Sequence, residues 1–169
     1  SEVAQLTKSG AVLLDVRNPD SFAAGHLPEA INVGLEGRFA EFAGSVIDPE
    51  TPIILCGDSE YLSEARTRLS RIGYDQVLGA LSSESVDSEH IVDSLRLTPA
   101  ELRQRLSDDP TPVVLDVRAP GEVAEGAIDG SMHIPLVELP QRLNEVATGS
   151  DVVVYCAGGY RSSIAASIL

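Results

Sequence analysis

The chain has 169 residues, 43% of them hydrophobic, with no tryptophan and only 4% aromatic side chains, so it can bury a core and that core must be aliphatic. A formal net charge of −14 argues against nucleic acid and against an anionic membrane surface, since both are recognised through basic patches. No run of 18 apolar residues occurs, the N-terminus does not read as a secretory signal, and two cysteines make no disulfide framework, so a soluble cytoplasmic protein is expected.

Taken in order, the first residues read as the inside of a helix. AVLLDVR (11–17) is a short apolar run ending in charge, as buried parallel strands are, and PIILC (52–56) reads the same way. SEARTRLSRIGY (63–74) predicts a helix closed by Gly73, followed by a strand at QVLGAL (76–81). SSESVDSEHIVDS (82–94) is polar and acidic without a clear period, which predicts a linker. SLRLT (94–98) predicts a strand. TPAELRQRLSD (98–108) opens on threonine with glutamate three residues later, a capping box ahead of an amphipathic helix. PVVLDVR (112–118) and DVVVYC (151–156) predict two more buried strands, and SSIAASIL (162–169) begins a helix. Strand–helix alternation of this kind predicts an α/β layer structure around a mostly parallel sheet.

The chain also repeats itself. Asp15-Val16-Arg17 and Asp116-Val117-Arg118 stand 101 positions apart, Gly25 and Gly126 keep that offset, and Cys56 and Cys156 are 100 apart. Such a spacing marks a domain duplication. Two copies of one α/β unit are expected, 1–81 and 95–169, joined by the linker 82–94. The first copy lacks the strand that SLRLT supplies in the second, and the second lacks a partner for SRIGYDQVLGAL. Each copy is therefore expected to be incomplete, and the chain to be a piece of something longer.

The chemistry concentrates at CAGGYRSS, 156–163. A cysteine at the end of a buried strand, two glycines and a helix start put backbone N–H groups and the positive end of a helix dipole near its sulfur. Arg161 adds a fixed positive charge. Together they favour a thiolate at Cys156 and an anion beside it, hence a nucleophilic cysteine with an anionic substrate. The plainer alternative is a small buried hydrophobe at a strand end. His26, His90 and His133 are scattered, with no metal-ligand spacing, so neither metal nor cofactor is expected and His90 and His133 receive no role.

Cys156, Gly159 and Arg161 resemble the Cys-x-x-Gly-x-Arg loop of the rhodanese family. VVLDVR with Glu122, Gly126 and Ile128 resembles the family's earlier signature, as does LLDVRNPDSFAAGHLPEAINV (13–33) more closely. The second copy departs at Ala127, where the family usually has histidine, and at SMHIP (131–135). The resemblance implies two rhodanese-like domains and a sulfurtransferase in which Cys156 takes sulfane sulfur from thiosulfate or a persulfide and passes it to a thiol or cyanide. It implies a substrate cradle of Ala157, Gly158, Gly159, Tyr160, Arg161 and Ser162. Related phosphatases and arsenate reductases use a loop one residue longer, so the four residues between Cys156 and Arg161 favour sulfur over phosphate. The pairing of a degenerate and an active copy also resembles the rear part of proteins that begin with a metallo-β-lactamase-fold hydrolase, which would make such a domain a fused or docked partner.

In the first copy, Cys56 is followed by Asp58 and Glu60, with Ser59 and Tyr61 at the glycine and arginine positions, so that copy is expected to be inactive. Asp116 and Arg118 are expected to form a structural ion pair, with a supporting role toward a donor sulfonate as the lesser alternative. Glu122 and Glu125 are expected on a solvated face at the pocket rim. A rival from another class stays open: a non-catalytic docking module in which Cys156 is a redox sensor.

Overall fold

A computed structural model of the chain describes residues 2–85, 90–107, 109–146 and 149–169. It divides into two compact units, Ser1–Ser94 and Leu95–Leu169. The first contains α1 (Glu2–Lys8), β1 (Val12–Asp15), α2 (Pro19–Ala24), β2 (Ile31–Asn32), α3 (Phe39–Val46), β3 (Ile53–Gly57), α4 (Ser59–Ser70) and β4 (Val77–Ser82). Its sheet runs β2-β1-β3-β4 with every pair parallel. A parallel sheet is covered on both faces, so its inner strands are apolar throughout. Leu13, Leu14, Ile53, Ile54 and Leu55 are accordingly buried to 3% exposure or less.

The second unit contains α5 (Pro99–Arg105), β5 (Val113–Asp116), α6 (Pro120–Ala124), β6 (Met132–His133), α7 (Leu139–Arg142), β7 (Val152–Tyr155) and α8 (Tyr160–Ile168). Its sheet, β6-β5-β7, is again parallel. Leu115, Ile134, Leu139 and Ile164 are fully buried and form its centre. β3 is buried at every position, being flanked by β1 and β4, whereas β7 is only half-buried because β5 pairs with it on one side alone among the described residues.

Three local expectations change. SLRLT forms no strand, and α5 begins directly at its end behind Thr98. The capping box is made: Glu101 N donates to Thr98 Oγ1 at 3.3 Å and Thr98 N to Glu101 Oε2 at 2.7 Å. The helix expected at 63–74 runs instead over Ser59–Ser70, and Gly73 lies beyond it in the left-handed region at φ 88°. Of the stretch 82–94, residues 86–89 lie outside the described residues, and its ends are not free. Ser82 closes β4, while His26 and Val92 exchange backbone hydrogen bonds at 2.8 and 2.9 Å and Ser94 N donates to Ala23 O at 3.0 Å.

The duplication is visible atom by atom. Arg17 Nη2 donates to Asp15 Oδ2 at 2.5 Å and to Gly25 O at 2.9 Å; Arg118 Nη2 donates to Asp116 Oδ2 at 2.6 Å and to Gly126 O at 2.8 Å. Both aspartates are fully buried and so need their arginine partners. Asn32, opposite Asp15, donates to Arg17 O at 2.9 Å, and His133, opposite Asp116, donates from Nε2 to Arg118 O at 2.9 Å. His133 thus has a structural role that its isolation in the sequence concealed.

Candidate active site

β7 ends at Tyr155 and hands Cys156 to a four-residue loop, 156–159, that opens into α8. Gly159 is the pivot. At φ 86° it occupies the left-handed region that glycine enters without a side-chain penalty, and it turns the chain so that α8 starts under the sulfur. Gly159 N donates to Cys156 Sγ at 3.2 Å and Ser162 N at 3.4 Å, and the thiol reaches Ser162 Oγ at 3.5 Å. The Gly158 N–H adds a further bond that favours the thiolate. Burial by itself would push the Cys156 thiol up, but the hydroxyl and N–H of Ser162 with the two glycine N–H groups reverse that, leaving it below the ordinary value. Ser162 Oγ lies 3.2 Å from Gly159 O, so its proton can serve that carbonyl beside a thiol and turn to the sulfur beside a thiolate.

Arg161 faces a protein carboxylate. Its Nη1 and Nη2 donate to Glu122 Oε2 and Oε1 at 2.5 and 2.8 Å, a bidentate pair that ties α8 to α6. Glu122 also accepts from Ala119 N at 3.0 Å at the start of α6. Hydrogen bonding to Arg161 first, then to Ala119, holds the Glu122 carboxyl at about 2. Glu122 therefore leaves the solvated face assigned to it, whereas Glu125 is exposed as expected. Ala157 and Gly158 are exposed at the loop tip and Tyr160 opens α8. Arg118 is locked on Asp116, as Arg17 is on Asp15 in the other unit.

Two residues at the site escaped sequence reasoning. Tyr155, in register with Asp116 on the next strand, donates to Asp116 Oδ2 at 2.5 Å and accepts from Ile128 N at 3.1 Å, with the Arg118 guanidinium 5.3 Å from its ring centre. Arg96 is the second: a Cβ on Gly159 would stand 2.8 Å from Arg96 Nη2. The register with Asp116 could have exposed Tyr155; no sequence signal marks Arg96.

The rhodanese-like domain family matches the chain over residues 1–81 and 98–169. This chain is a rhodanese-like protein. It is 38% identical over 68 residues to a sulfurtransferase of Allochromatium vinosum (40% of this chain, 64% of that protein). It is 45% identical over 56 residues to the uncharacterized protein YqhL of Bacillus subtilis (33% and 44%). The chain thus spans less than two thirds of the length of both relatives. Over 124 residues it is 29% identical to a putative mitochondrial thiosulfate sulfurtransferase of Schizosaccharomyces pombe (66% and 81%). A crystal structure of a thiosulfate sulfurtransferase from Pseudomonas aeruginosa matches with TM-score 0.43 and 23% identity, covering 99% of this chain and 39% of that one. A likeness of that size adds nothing to the family assignment.

The two rhodanese-like domains differ at the cysteine. Strand register pairs Asp15 with Cys56 but Asp116 with Tyr155, so the counterpart of Cys56 is Tyr155, and Gly57 stands where Cys156 stands. The spacing of the two cysteines, 100 positions against 101 for the triplets, is thus off by the one residue that separates Tyr155 from Cys156, and the alignment of Cys56 with Cys156 is corrected accordingly. Cys56 is 1% exposed and packs among Leu13, Phe22 and Ile54. Burial first, then the nearby Asp15 charge, pushes its thiol up to about 12. In the first domain only Asp58 separates β3 from α4, and among the described residues no N–H group donates to Cys56 Sγ.

Proposed function

We propose that the second rhodanese-like domain transfers sulfane sulfur through a persulfide on Cys156. The convergence of N–H groups and the Ser162 hydroxyl on Cys156 Sγ carries this reading. The thiolate attacks the outer sulfur of the donor, a new S–S bond forms on Cys156, and the donor's own S–S bond breaks. From thiosulfate the leaving group is sulfite; from a persulfide it is a thiolate. The terminal persulfide sulfur is anionic, and the loop's N–H groups hold that charge as they hold the thiolate. A thiol or cyanide then attacks this sulfur and regenerates Cys156. Sulfurtransferases among the relatives support the reaction class.

Within this reading Ala157, Gly158, Gly159, Tyr160, Arg161 and Ser162 form the cradle. Arg161 acts through Glu122 as a positioning residue, and Asp116 and Arg118 support the strand behind the loop. The first domain is catalytically silent. The proposed partners are a small anionic sulfur donor and a thiol acceptor in a reducing, cytoplasmic setting; a metallo-β-lactamase-fold partner rests on the sequence resemblance alone. Among the described residues no helix is long and apolar enough to cross a membrane.

The test is steady-state thiocyanate formation with thiosulfate and cyanide both varied. Parallel double-reciprocal lines, abolished by Cys156→Ser and kept in Cys56→Ser, are the expected pattern. Absence of turnover with thiosulfate and with glutathione persulfide would overturn it in favour of the redox-sensing module.

A further inference from the structure

The edge of the first domain beyond α2 is occupied by the chain itself. His26 N donates to Val92 O at 2.8 Å and Val92 N to His26 O at 2.9 Å, an antiparallel bridge, and Ser94 N donates to Ala23 O at 3.0 Å. Ile91 packs beside Gly25, where a Cβ would stand 2.8 Å from its Cγ2. Ala23 and His26 are buried where this extended strap lies. Counted by the 101-residue offset of the Asp-Val-Arg triplets, the second domain has Ala124, Gly126 and Ala127 at these places. The offset holds in three dimensions, because Arg17 donates to Gly25 O as Arg118 donates to Gly126 O. Here the same edge is bare. Ala124, Gly126 and Ala127 are exposed, and nothing stands within 4 Å of a Cβ on Gly126. Among the described residues, Ala124 O, Ala127 N and Ala127 O have no hydrogen-bond partner.

We propose that the edge 124–127 of the second domain is a docking site for an extended segment of a partner protein, basic on either side of a β-branched residue that pairs with Ala127. Unpaired backbone groups at an edge are a template for strand addition, in which main-chain bonds give affinity and flanking side chains choose the partner. The strap on the first domain supplies the geometry: one antiparallel bridge, and one further N–H on the carbonyl three residues earlier. Charge picks the occupant. Exposed Glu125 and Asp129 flank Ala127, where the first domain has Ala24 and Pro28. The chain's own strap carries Asp93 next to its bridging Val92, so a second copy would bring like charge to this edge, whereas a lysine or arginine there is attracted. The net charge of −14 steers a basic segment in the same direction. Docking here is independent of sulfur transfer at Cys156.

The test is residue-resolved amide NMR and hydrogen exchange on the full chain with two synthetic peptides. One is residues 89–95 of the chain itself; the other is the same peptide with Glu89→Lys and Asp93→Lys. The lysine peptide should shift the Ala127 amide and, at saturation, slow its exchange by about threefold or more. At low ionic strength it should bind roughly five- to tenfold more tightly than the unmodified peptide, a gap that closes in high salt. Val92→Pro in the lysine peptide removes the N–H of the bridge and should abolish the effect on Ala127. In the chain, Glu125→Lys with Asp129→Lys, both exposed, should erase the preference for the lysine peptide. No change at the Ala127 amide with either peptide, or an equal change with the Val92→Pro peptide, overturns the docking site. Equal or tighter binding of the unmodified peptide overturns the basic partner in favour of a second copy of the chain.

Discussion

Cys156 and Cys56 show how far one residue type can be driven apart by its surroundings. At Cys156, hydrogen bonds outweigh burial and favour the thiolate; at Cys56, burial in an apolar cluster leaves a thiol at about 12. Alkylation of Cys156 should therefore rise with pH through a midpoint below that of ordinary cysteine and level off, while Cys56 stays unmodified in the folded protein below pH 10. Ser162→Ala removes one donor to the sulfur, so its midpoint should move up and its neutral-pH rate fall several-fold; an unchanged midpoint would contradict the hydrogen-bond origin of the shift. Glu122 carries the other residue-scale prediction. Its folded value of about 2 lies below the ordinary 4.5, so the ion pair stabilises the fold above pH 4.5 and that contribution is lost as pH falls toward 2. Thermal melts should show Glu122→Gln less stable than wild type at pH 6, with the difference closing by pH 2.5. A constant difference across that range would show that the carboxylate is not held by Arg161.

At the scale of elements, the β7–loop–α8 unit carries the argument. Gly159→Ala would place a side chain at φ 86°, costing about 1–2 kcal/mol, and would push on Arg96. A lower melting temperature and at least a tenfold loss of thiocyanate formation are expected, against little change for alanine at exposed Gly158. Tyr155→Phe leaves the buried Asp116 carboxylate one donor short, which should cost about 1–3 kcal/mol in urea unfolding. Much of the fold and of this loop was legible. Apolar runs marked β1, β3, β5 and β7, the Thr98–Glu101 box marked α5, and the glycines with Arg161 marked the loop. What escaped were pairings between elements. Glu122 and Arg161 are 39 positions apart, so nothing local told that their charges would meet. SLRLT had strand composition, but composition does not supply a hydrogen-bonding neighbour. The cysteine alignment failed because the 100-residue spacing of the cysteines was equated with the 101-residue spacing of the triplets, and a slip of one residue is decisive in register.

For the whole molecule, the duplication explains which features belong to the fold and which to chemistry. The buried aspartate, its arginine and the glycine carbonyl recur in both domains, so they maintain the fold. Among the described residues the N–H cradle, Tyr155 and the Glu122–Arg161 pair belong to the second domain, where Cys156 lies; the first domain has Ser21 in place of Glu122, counted from the Asp-Val-Arg triplets. Cutting a core contact should therefore destabilise either domain alike, whereas removing the Ser162 hydroxyl from the cradle should cost activity with little change in stability. The central claim, a persulfide on Cys156 and none on Cys56, is met most directly by intact-protein mass spectrometry after incubation with thiosulfate or glutathione persulfide. Wild type and Cys56→Ser should gain the mass of one sulfur atom, lost again on adding cyanide, and Cys156→Ser should gain none. Sulfur retained by Cys156→Ser, or none taken up by wild type from either donor, would contradict the account.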